Sequence, residues 1–118
     1  LALTPRLAAA ACLLIGTPRT LAALAAQLAL VPGAARVRPV GCVLVRDETA
    51  PPIDTRTLPE LPQVLGTLEE LPDIHARVGV TLGVVSLPAS MDSAARRARA
   101  LLRSLGMSER VVPPLEEL

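Results

Sequence analysis

The residues of this chain with chemical potential gather where apolar runs end. Gly16-Thr17-Pro18-Arg19-Thr20 follows Leu13-Leu14-Ile15, and Ser86-Leu87-Pro88 follows Val84-Val85. A glycine turn that leads from a buried strand into a helix is a place for phosphate, because free backbone N–H groups and the positive end of the helix dipole meet there. Thr20 reads as the N-cap of that helix. Arg19 offers a guanidinium that pairs with phosphate. Asp47 is the first carboxylate after the apolar run 37–45 and stands where an acid would hold ribose hydroxyls. The glycine fingerprint is incomplete, however. A dinucleotide loop needs G-x-G-x-x-G, and here Pro18 and Leu21 replace the second and third glycines. Pro18 also removes an N–H donor. A structural turn is the favoured reading of the loop. The candidate cofactor-binding set is Gly16, Thr17, Pro18, Arg19, Thr20, Asp47, Ser86 and Pro88, and its candidate ligand is a nucleotide such as NAD(P).

Composition removes most other chemistry. All 12 basic residues are Arg, so the chain has no P-loop lysine, no Schiff-base lysine and no Tyr-x-x-x-Lys pair. Without Phe, Trp or Tyr it has no base-stacking platform. Eleven acids balance the arginines to a net charge of +1, which leaves no electrostatic footprint for nucleic acid. His75 is the single histidine and reads as a surface helix residue, so no His-rich metal site can form. Cys12 and Cys42 lie in apolar runs and read as buried small hydrophobes. Glu69 and Glu70 read as helix N-terminal charge rather than an acid–base pair. Arg96, Arg99 and Arg103 share about one helix face, with Arg97 turned away, and read as a solvated surface. No nucleophile–base pair can be named, so no catalytic residue is assigned.

Elements that would position these residues follow from periodicity. The apolar run 8–15 predicts a strand buried on both faces, a reading preferred to a signal peptide because Gly16-Thr17-Pro18-Arg19 breaks it. Leu21, Leu24 and Leu28 predict a helix that Pro32-Gly33 stops. A strand follows over 37–45, then a proline-rich loop over 47–62 and a short strand over 63–65. Thr67-Leu68-Glu69-Glu70 is a capping box opening a second helix to about Arg77. A strand over 81–87 leads to a third helix that Ser90 or Asp92 opens. Its apolar face is Met91, Ala94, Ala98, Leu101, Leu102 and Leu105, and Gly106 closes it. A last strand is expected over 110–112. Apolar strands alternating with amphipathic helices predict an α/β fold. Right-handed crossovers then give a Rossmann-like doubly wound parallel sheet of about five strands, order 3-2-1-4-5, with helices on both faces. The whole of 1–118 reads as one such domain, excised from a longer protein.

Several segments resemble, in register, one Rossmann-like module. Val64-Leu65-Gly66-Thr67-Leu68-Glu69-Glu70-Leu71-Pro72 is similar to its "v-L-G-t-l-e-d-L-p" segment, and Leu13-Leu14-Ile15-Gly16 to its opening. Arg38-Pro39-Val40-Gly41-Cys42-Val43, Val84-Val85-Ser86-Leu87-Pro88 and the stretch from Val111 to Leu118 resemble further segments in order. The module precedes the catalytic domain in CapD-like membrane-bound nucleotide-sugar 4,6-dehydratases and epimerases of polysaccharide biosynthesis. A related module occurs in polyprenyl-phosphate sugar-1-phosphate transferases. The resemblance implies an accessory, non-catalytic domain acting in assembly or regulation, with a degenerate nucleotide site. Its implied partners are the catalytic domain of the same polypeptide and a second copy. The implied location is the cytoplasm, with the parent at the cytoplasmic face of the bacterial inner membrane. The alternative is a working nucleotide, UDP-sugar or CoA sensor, including that of a transferase or of a different redox-sensing or CoA-binding Rossmann family.

Overall fold

The computed structural model describes residues 10–30, 37–46 and 63–112. Five strands and three α-helices alternate along them: β1 (Ala10–Gly16), α1 (Pro18–Leu30), β2 (Val37–Leu44), β3 (Val64–Thr67), α2 (Leu71–Val78), β4 (Leu82–Ser86), α3 (Asp92–Ser104) and β5 (Ser108–Val111). All strand pairs are parallel and the sheet order is β3-β2-β1-β4-β5. This is the Rossmann-like α/β arrangement expected from the alternation of apolar strands and amphipathic helices. Asp47, the proline-rich loop 47–62, the Pro32-Gly33 stop and residues 113–118 lie outside the described residues.

The period of two along a strand divides the core between two faces. Leu13 and Ile15 of β1 point to one face, where they pack with Val43, Val85, Leu71 and Ile74 of α2, and Ala98 and Leu102 of α3. Cys12 and Leu14 point to the other, where they meet Cys42, Val84 and Leu21 and Leu24 of α1. Because β1 is central and covered on both sides, it must be apolar at every position, which is why its sequence shows no alternation. Pro39 sits within β2, where a missing N–H would ordinarily disrupt a ladder. It is accommodated because β3 pairs with β2 only from Cys42 onward, and a register shift between Cys12 and Leu13 falls beside it.

Local boundaries differ from the sequence expectation in instructive ways. α1 begins at Pro18, not after Thr20, because proline's fixed φ and absent N–H suit the first helical position. β3 runs on to Thr67, which pairs with Leu44 before it caps the next turn. That capping box forms, with the Glu70 carboxylate accepting the Thr67 N–H at 2.9 Å, but it opens a 3-10 turn (Leu68–Glu70) ahead of α2. Pro72 in the first turn of α2 has no N–H to extend the α pattern backwards. Likewise Met91 belongs to a 3-10 turn (Ala89–Met91) before α3, and it still packs against the core. β5 starts at Ser108, two residues earlier than expected, since its pairing begins opposite Leu82.

α3 is held at both ends. Gly106 takes φ +73°, and the Gly106 and Met107 amides donate to the carbonyls of Arg103 and Leu102 at 3.0 and 2.9 Å. This Schellman closure brings Met107 over Leu102, and both are buried. Arg96, Arg99 and Arg103 lie at the solvated surface of α3 as expected, and the α3 arginines are also paired there: Arg96 with Asp92, Arg97 with Glu69, and Arg99 and Arg103 together on Glu109 of β5. Arg99 Nε lies 2.7 Å from Glu109 Oε1 and Arg103 Nε 3.1 Å from Oε2. Those bonds, Arg99 first, hold the Glu109 carboxyl below the ordinary glutamate value of 4.5. A depressed folded pKa stabilises the fold above 4.5 and ceases to do so as pH falls through the folded value. In acid titrations followed by circular dichroism, Glu109→Gln should therefore reduce stability at neutral pH and flatten the further loss below about pH 4.5; parallel curves would show that the clamp is not linked to protonation.

Cys12 and Cys42 are fully buried and unbonded. Burial pushes both thiols up to about 11, outweighing Arg110 and Arg38 near Cys12. Neither should react with an aromatic disulfide reagent at pH 8 in the native protein, and both should react at once in guanidinium; prompt native reaction of either would contradict the packing.

Candidate functional site

In sheets of this order the ligand crevice lies beyond the carboxyl ends of the strands, where the direction of strand addition reverses. Here that point is between β1 and β4, whose last residues, Gly16 and Ser86, are paired. Thr17, Pro18, Arg19 and Thr20 follow from one side, and Leu87 and Pro88 from the other. The structure therefore brings Gly16, Thr17, Thr20 and Ser86 together. Asp47, the expected ribose ligand, lies outside the described residues, and Arg46, exposed, is the last residue described after β2.

Sequence and local geometry then close the turn on itself. Thr17, not Thr20, precedes the helix, and the two threonines cap each other. The Thr20 N–H donates to Thr17 Oγ1 at 3.2 Å, and the Thr17 N–H donates to Thr20 Oγ1 at 3.1 Å. The Thr20 hydroxyl donates to the Ser86 carbonyl at 2.6 Å, so the remaining Oγ1 contact, 3.1 Å, takes its hydrogen from Thr17. This is the reciprocal logic of a capping box with threonine in place of the acid. Thr17, Thr20 and Ser86 are 4%, 2% and 1% exposed, so the bonds are shielded from water. The first i→i−4 bond of α1, Leu21 N–H to Thr17 O at 2.9 Å, starts directly above.

Gly16 is required by closeness. A Cβ there would lie 2.3 Å from the Ser86 carbonyl oxygen and 2.8 Å from Thr20 Oγ1. In a nucleotide-binding loop the first glycine opens a tight turn so that N–H groups can face pyrophosphate. In this chain the same glycine lets β4 and the α1 cap approach each other. The donors a phosphate would take are spoken for: Thr17 and Thr20 bond internally and Pro18 has none. Arg19 keeps its backbone N–H, and its side chain is exposed at the positive end of the α1 dipole. That is the feature of the turn suited to an anion.

Pro88 is half-buried, and its carbonyl accepts the Met91 N–H at 2.9 Å to start the 3-10 turn ahead of α3. Its role in the turn is the ordinary one of ending a strand and setting φ. Glu69 gains a partner the sequence did not suggest. Its carboxyl is held below the usual glutamate range first by its own backbone amide, with Arg97 at 3.7 Å and Arg46 adding to the effect. These groups come from three separate stretches of the chain, so no spacing in the sequence could have joined them. His75 is half-buried rather than fully at the surface, because it lies beside Ile74 on the core-facing side of α2. No group of three His, Cys, Asp or Glu side chains able to hold a metal occurs among the described residues. No described helix is long and apolar enough to cross a membrane. Comparison with protein-family models, with curated proteins and with solved structures gives no match.

The clasp should be measurable. Thr20→Val keeps the shape but strands the Ser86 carbonyl and the Thr17 amide, so chemical denaturation should show a loss of about 1–3 kcal/mol. Arg19→Ala, one residue away and exposed, should change stability by no more than about 0.5 kcal/mol. Equal small effects of the two would mean that the threonine pair contributes nothing to the turn.

Proposed function

We propose that the chain is an accessory, non-catalytic Rossmann-like domain of a polysaccharide-biosynthesis nucleotide-sugar dehydratase or epimerase, acting in assembly or regulation with a degenerate nucleotide site. The observation that carries the non-catalytic, degenerate part is the clasp at the β1–β4 switch point. Two buried threonines use their own amides internally, and the Thr20 hydroxyl bond to the Ser86 carbonyl ties the start of α1 to the end of β4, where a ligand would sit. The polysaccharide context rests on the segments quoted above, which fall in register on β1, β2, β3 with α2, and β4. In this reading the partners are the catalytic domain of the same polypeptide and a second copy of the domain. The parent works at the cytoplasmic face of the bacterial inner membrane. The chemistry belongs to the catalytic domain, which supplies its own NAD and Tyr-x-x-x-Lys pair.

One observation favours a second reading. Arg19 is exposed at the start of α1, where its guanidinium and the positive end of the helix dipole suit a nucleotide, UDP-sugar or CoA phosphate. Thermal stabilisation separates the two. The unmodified chain, followed calorimetrically because it has no Trp or Tyr, should show no shift with NAD, NADP, UDP, UDP-sugars or coenzyme A. A ligand present at about 100 times its Kd would stabilise the fold by about 2.7 kcal/mol. A saturable shift of that kind, lost in Arg19→Ala, would replace the degenerate-site reading with a working sensor. The parent is tested separately by the flanking reading frame: a downstream glycine fingerprint with Tyr-x-x-x-Lys supports a dehydratase, and a transferase domain without that pair overturns it.

A further inference from the structure

We draw no further inference here: the strongest candidate, the charge-free face of α1 formed by Ala22, Ala23, Ala25, Ala26 and Gln27, is a small-residue surface, and nothing among the described residues shows what covers it.

Discussion

The hydrogen bond from the Thr20 hydroxyl to the Ser86 carbonyl ties the start of α1 to the end of β4, at the carboxyl edge of the sheet. Everything near it is arranged around that short contact. Gly16 has no side chain because the Ser86 oxygen occupies the space one would need. Pro18 begins α1 because the first helical position needs no N–H. Thr17 is buried and turned inward because it completes the cap that orients Thr20. Removing the Thr20 oxygen would leave a carbonyl and an amide unsatisfied in a dry environment, and that penalty exceeds the modest net value of either bond when made.

The same constraint reinterprets the damaged glycine fingerprint. A loop that has lost two glycines through drift would leave helix-terminal donors exposed and idle. Here the substituting residues have their own purpose. Pro18 fits the first helical position, and Leu21 is fully buried against Cys12 and Leu14 beneath α1. The turn is thus a well-satisfied structural unit, and no buried side-chain polar atom among the described residues lacks a partner. Arg19 is the one residue of the turn whose position is not explained by packing.

Much of the architecture was legible in the sequence because central parallel strands and amphipathic helices leave different signatures. Leu13-Leu14-Ile15 cannot belong to a half-solvated strand, and Ala98, Leu101, Leu102 and Leu105 cannot line a strand face; the sheet order follows once crossovers are right-handed. Boundaries were less legible because they depend on partners far away in the chain. β5 begins where Leu82 offers a ladder, and nothing in Ser108-Glu109 announces it. The site was half legible. Thr-Pro at 17–18 is a helix-start signal in its own right, and it overlaps the incomplete glycine motif on the same residues. The inward turn of both threonines, and the ion pair of Glu69 with Arg97, depend on tertiary placement that local spacing does not encode.

The acceptor that completes the start of α1 comes 66 positions later in the chain. α1 cannot therefore have its final cap when it first forms. β4 must first insert beside β1, across a loop whose closure costs entropy before any contact rewards it. The order of events is built into the connectivity: the helix start precedes β4 in the chain and is finished only once β4 is in place. Until β4 arrives, the reciprocal threonine bonds can form locally, but the Thr20 hydroxyl lacks its Ser86 acceptor.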